Sequence, residues 1–127
     1  MFRMLVKDIM KRPFIVEEDI SLTEAADIMS KKGIGSLLFV SGDKIKGIVT
    51  QKDLIRGFGK HEKISRVMTS NVKTINPDDG LDRAAEVMKE NKIKKLAVVE
   101  KDNLVGIITS ADLLENIEDL EEEFFFE

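Results

Sequence analysis

The stretch Gly47-Ile48-Val49-Thr50-Gln51-Lys52-Asp53-Leu54 returns as Gly106-Ile107-Ile108-Thr109-Ser110-Ala111-Asp112-Leu113, 59 residues further on. Each reads as a strand that ends in Thr and runs straight into a helix, with Asp three residues beyond the Thr. Working outward at the same offset, residues Leu22–Leu54 superimpose on Leu81–Leu113 with thirteen identities, among them Ala25/Ala84, Ala26/Ala85 and Met29/Met88. Upstream, Met10 matches Met68 after a one-residue indel. The chain is therefore a duplication, and two copies are too few for a solenoid array.

Each copy spells the same element order. Phe14-Ile15-Val16 and Val72-Lys73-Thr74-Ile75 are short β-favouring runs. Leu22, Ala25, Ala26 and Met29 fall at i, i+3, i+4 and i+7, one apolar helical face, and Leu81, Ala84, Ala85 and Met88 repeat it. Ser21 with Glu24 forms a capping-box pattern, while Pro77-Asp78-Asp79-Gly80 supplies turn chemistry in the second copy. Leu37–Val40 and Leu96–Val99 read as buried strands, each joined by a polar turn to the strand that carries the opening motif. Helices are expected from Gln51 to about Arg56 and from Ser110 to about Asn116. The fold class is α/β (α+β): two βαββα-type repeats packed about a pseudo-twofold axis. The expected organisation is residues 1–57 for the first repeat, 58–64 for a linker, 65–118 for the second repeat, and 119–127 for an acidic, phenylalanine-ended tail.

Composition narrows the class of function. Of 127 residues 43% are hydrophobic, yet no apolar run is long enough to cross a bilayer, and Met1–Asp8 lacks a secretory h-region. There are no cysteines, so disulfides and thiolate chemistry are excluded, and a cytoplasmic location is expected. A net charge of −4 gives no general attraction to nucleic acid. His61 is the sole histidine and has no acidic cluster at ligand spacing. No nucleophile–base pair, metal set or glycine-rich phosphate loop is legible, so no catalytic activity is expected.

The Thr-x-x-Asp pattern has two readings. Thr50 or Thr109 can cap a helix, with Asp53 or Asp112 closing a capping box, and the pattern alone favours this. Alternatively, the first-turn N–H groups and the Thr hydroxyl can donate to a ligand while the Asp accepts from two vicinal hydroxyls, as on a ribose. Gly47 and Gly106, three residues upstream, mark a bulge or a close backbone approach, for which ligand access is one reason.

The sequence resembles a tandem pair of CBS (cystathionine β-synthase) domains from about Val6 to Ile117. The matching parts are Asp8-Ile9-Met10, the Leu-x-x-Ala-Ala-x-x-Met helix, Gly33-Ile34-Gly35-Ser36-Leu37-Leu38, Asn91-Lys92-Ile93-Lys94-Lys95-Leu96-Ala97-Val98, and the opening motif in both copies. The resemblance implies two clefts between the repeats and a homodimer. It also implies a regulatory ligand containing adenosine: AMP, ADP, ATP or an S-adenosylmethionine-type compound, with no obligatory cofactor. Thr50 and Asp53 would line one cleft and Thr109 and Asp112 the other, each Asp holding a ribose. Backbone at Ile15-Val16 and Thr74-Ile75 would read the adenine edge, and Ile48 and Ile107 would flank the ring. Where the family often carries basic residues, the second copy has Lys94-Lys95 and the first Gly35-Ser36. Lys94 and Lys95 are expected to face a ligand tail near Asp53, leaving the Asp112 cleft poorer in charge. A sensor acting on a protein partner in trans follows from this, the alternative being a dimerisation or docking scaffold with vestigial clefts. The acidic stretch before Phe124-Phe125-Phe126 opposes the helix dipole, and the phenylalanines are expected to pack in a dimer.

Overall fold

The structure, a computed structural model, describes residues 3–116. The expected tail at 119–127 lies outside them. The elements run α1 (Val6–Ile9), β1 (Ile15–Val16), α2 (Leu22–Lys32), β2 (Ser36–Ser41), β3 (Lys44–Thr50), α3 (Gln51–Gly57), a 3-10 turn (Ile64–Arg66), β4 (Thr74–Ile75), α4 (Leu81–Asn91), β5 (Lys95–Glu100), β6 (Asn103–Thr109) and α5 (Ser110–Glu115). The fold is mixed α/β, with two three-stranded sheets ordered β1-β2-β3 and β4-β5-β6. In each, the first strand is parallel and the second antiparallel to the central one. Only α1 and the 3-10 turn lack a counterpart in the periodicity of the sequence.

The packing units are offset from the sequence repeats. One unit is the continuous stretch Pro13–Val72; the other joins residues 3–12 to residues 73–116. Thus the segment leading into the first copy packs with the second, and the segment expected to link the copies packs with the first. In the second unit, Val6 is fully buried, and its N–H donates to Asp79 O at 2.8 Å. Lys7 Nζ reaches Asp78 Oδ1 at 3.0 Å, and Arg3 pairs with Asp82. In the first unit, buried Ile64 plays the part of Val6, its N–H donating to Ile20 O at 3.0 Å.

Each unit has its own core. Leu22, Ala25 and Met29 of α2 pack with Leu37, Val49, Leu54 and Ile64; Leu81, Ala84 and Met88 of α4 pack with Val6, Leu96, Ile108 and Leu113. The helical periodicity therefore marks the buried face in both units. The ends of these helices show how equivalent packing tolerates unlike residues. Helix α2 closes on Gly33 at φ 63°, whereas α4 closes on Lys92 at φ 53°, a left-handed backbone that costs a side chain energy. The hairpin turns differ likewise: Gly42 has φ 61°, while Lys101 and Asp102 have φ 49° and 67°.

Candidate ligand-binding site

The sheet register gathers most of the expected residues. Ile15 pairs with Leu38, which pairs with Ile48; one pleat repeat along, Ser36 pairs with Thr50. In the second unit Thr74 pairs with Ala97 and Ala97 with Ile107, and then Lys95 pairs with Thr109. Side chains alternate between faces with period two, so Ile15, Ile48 and Thr50 share one face, as do Thr74, Ile107, Thr109 and Lys95. These are the faces turned away from each unit's own core, which takes Val49 and Ile108. Val16 and Ile75 point the other way and pack into the cores. They can offer a ligand only backbone.

Both readings of Thr-x-x-Asp meet in one geometry. Thr50 Oγ1 accepts from Asp53 N at 3.4 Å, and Asp53 Oδ2 accepts from Thr50 N at 2.8 Å and from its hydroxyl at 3.0 Å. Thr109 Oγ1 accepts from Asp112 N at 3.2 Å, and Asp112 Oδ2 accepts from Thr109 N at 2.8 Å. Each motif is thus a capping box, and each engages one carboxylate oxygen and leaves the other to a different partner. Among the described residues nothing pairs with Asp53 Oδ1. Asp112 Oδ1 accepts from Lys11 Nζ at 3.0 Å, and Asp112 is only 5% exposed.

Gly47 and Gly106 answer to protein packing. A Cβ at Gly47 would stand 2.5 Å from Met68 Sδ and 2.9 Å from Thr69 O; at Gly106, 2.6 Å from Met10 Sδ and 3.2 Å from Lys11 O. The matched methionines and glycines are therefore one contact, made twice. Each glycine also faces the register shift of its sheet, at Phe39/Val40 and Val98/Val99.

Lys95 lies by Asp112 in the same unit. Burial pulls its ammonium below the usual lysine value; Asp112 opposes this and Lys94 adds to it. Lys11 is raised above its usual value, first by its hydrogen bond to Asp112 and then by the charges of Asp112 and Glu115. Within its own unit the Asp112 end thus has two cations beside it, Lys11 and Lys95. The matched positions of the first unit are Thr69, Gly35 and Ser36, none of them charged. Lys11 itself was missed by sequence reasoning, being 101 residues from Asp112. The one signal was the Met10/Met68 match, which sets Lys11 against Thr69.

Thr74 and Ile75 also line a shallow recess of about 380 Å³ with Asn76, Asp79 and Arg83, of which Thr109 and Asp112 are not part. A second recess, about 520 Å³ and bordered by Ser21, Phe58 and His61, includes none of the expected ligand residues. Among the described residues no His/Cys/Asp/Glu group of three or more could hold a metal, and no helix is long and apolar enough to cross a membrane.

A duplicated βαββα unit with a capped Thr-x-x-Asp at each strand–helix junction defines a known class. The family model described as the CBS domain matches residues 6–60 and 64–119, and the chain belongs to that family. The solved CBS domain pair of protein MJ0100, in complex with 5′-methylthioadenosine and S-adenosyl-L-methionine, is 34% identical. It superimposes with a TM-score of 0.85 over 92% of this chain and 98% of that one. The CBS-domain containing protein ATU1752 from Agrobacterium tumefaciens is 27% identical, with a TM-score of 0.82 over 90% and 99% of the two chains. Among curated relatives, a homoserine O-acetyltransferase of Methanosalsum zhilinae is 39% identical over 85% of this chain, but the match covers 23% of that enzyme. The chain thus spans under a quarter of the length of such relatives. The CBS domain-containing protein YhcV of Bacillus subtilis is 30% identical, with 76% of this chain and 72% of that protein covered.

Proposed function

We propose that this chain is a non-catalytic regulatory module whose Thr/Asp ends bind an adenosine-containing ligand: AMP, ADP, ATP or an adenosyl thioether. The observation that carries this reading is the repeated cap geometry, in which one carboxylate oxygen fixes the helix start and the second takes no part in the cap: at Asp53 it is unpaired among the described residues, and at Asp112 it holds Lys11 with acceptor capacity to spare. A ribose diol suits that second oxygen, since two vicinal hydroxyls can donate to one carboxylate. Thr50 and Asp53 serve one end and Thr109 and Asp112 the other. Ile48 and Ile107, on the same faces, flank the adenine, and backbone at Ile15-Val16 and Thr74-Ile75 reads its edge. Lys94 and Lys95 approach the polar tail of the ligand. The 34% identical CBS pair bound to adenosyl compounds supports the choice of ligand class.

The proposed output acts in trans on a protein partner, from a cytoplasmic homodimer without nucleic-acid or membrane binding. Two exposed apolar residues support dimerisation: Ile55 on α3 is 75% exposed and its counterpart Leu114 on α5 is 67% exposed. The same pair favours a second reading, a docking scaffold with no ligand. Thermal-shift screening separates the two. A sensor gains a melting temperature that rises with adenosine ligand concentration, in proportion to the binding linkage. A scaffold is unmoved by every such ligand.

A further inference from the structure

We infer that Lys11 sets the charge of the ligand accepted at the Asp112 end, making that end selective for phosphate-bearing adenine nucleotides while the Asp53 end favours uncharged adenosyl thioethers or cationic adenosyl sulfonium compounds. The inference rests on the sensing function proposed above and adds to it a residue outside both motifs.

A carboxylate that grips a ribose repels a phosphate attached to the same sugar and attracts a sulfonium. At the Asp53 end this bias stands, because Thr69 occupies the position of Lys11 and Asp53 Oδ1 has no cation against it among the described residues. Arg56, three residues along α3, makes no ion pair with Asp53 there. At the Asp112 end an ammonium lies 3.0 Å from Oδ1 and cancels the charge at the point of contact. Glu115 Oε2 also approaches Lys11, but at 3.8 Å and 67% exposed, where solvent screens it more strongly. Half-buried Lys95 adds a second positive charge beside Asp112.

Lys11 is held in place by more than its ion pair. Its N–H donates to Ile107 O at 2.8 Å and its carbonyl accepts from Ile107 N at 2.9 Å, so the residue is pinned to β6 two positions before Thr109. A carboxylate has room for about four hydrogen-bond donors. A ribose hydroxyl can therefore join Lys11 on Oδ1 rather than displace it. Lys11 acts as a permanent counter-ion.

The experiment is calorimetric titration of AMP and of uncharged 5′-methylthioadenosine into the wild type, Lys11→Met and Lys11→Arg, at low salt. Repeating it in an Asp53→Ala background reads the Asp112 end alone. Lys11→Met is expected to weaken AMP roughly three- to tenfold, the size of one screened charge at several ångströms, with the thioether within about twofold. Lys11→Arg retains the preference for AMP, and unchanged circular dichroism shows that the variants fold. Equal loss for both ligands would make Lys11 a mere support of Asp112 and overturn the inference, as would no change for either. If neither ligand binds the wild type, the sensing function itself falls, and this inference with it.

Discussion

The two units build the same helix cap from the same residue types and then part company at a single oxygen. Asp53 Oδ1 has no partner among the described residues, whereas Asp112 Oδ1 holds Lys11. The difference comes from the segments that precede each copy, where Lys11 and Thr69 follow the matched Met10 and Met68. Duplication has kept the capping oxygen of each aspartate constant and left the other free to diverge. A cap constrains its residues through short, local geometry; a ligand contact depends on whatever the crossing segment brings.

The largest break in the likeness of the units is expected at their strand glycines. Gly47→Ala and Gly106→Ala each force a Cβ into a methionine, but only Gly47 also meets backbone below 3.0 Å, at Thr69 O. Backbone cannot swing aside as a thioether can. Gly47→Ala is expected to cost about 1–3 kcal/mol, in the range of overpacked cores, and Gly106→Ala less. Urea denaturation of the two variants checks the order, and a companion Met68→Ala should recover only part of the Gly47→Ala loss.

A smaller effect, of opposite sign, is expected at the end of α4. Lys92→Gly relieves a left-handed lysine and should stabilise by about 0.5–1 kcal/mol, whereas Gly33→Ala at the matched position should destabilise by a similar amount. If both substitutions moved the urea midpoint the same way, the two helix ends would not share one conformation.

The smallest is a pH effect at Lys95. Its folded-state value lies below the ordinary 10.5, so between the two values the unfolded chain holds more protons and stability rises with pH. The wild type should therefore gain on Lys95→Met as pH climbs toward 10.5. Lys11 runs the other way: its contribution is present below 10.5 and is lost as pH rises through its raised value. Chemical denaturation at pH 7 and near pH 10 reads the Lys95 effect, whereas the loss at Lys11 falls above pH 10.5; a flat difference for Lys95→Met would mean that Lys95 is not desolvated.

Much of this was legible from local pattern. Leu22, Ala25 and Met29 are buried as their spacing required, Ser21 and Glu24 form their capping box, and each expected hairpin is present. What was not legible depends on contacts between distant segments. Periodicity cannot show that Val6 joins the core of the second unit, or that Met10 is the reason for Gly106. Nor could it assign Lys11 to Asp112.

The most direct test of the central claim, that both aspartates serve adenosine ligands and do so unequally, is the stoichiometry and affinity of 5′-methylthioadenosine binding by calorimetry. Wild type, Asp53→Ala and Asp112→Ala would be compared, each variant shown to be folded by circular dichroism. Expected are two sites of different affinity in the wild type, with each substitution removing one of them. Binding unaltered by either substitution, or abolished by neither alone but equally weakened by both, would contradict the claim.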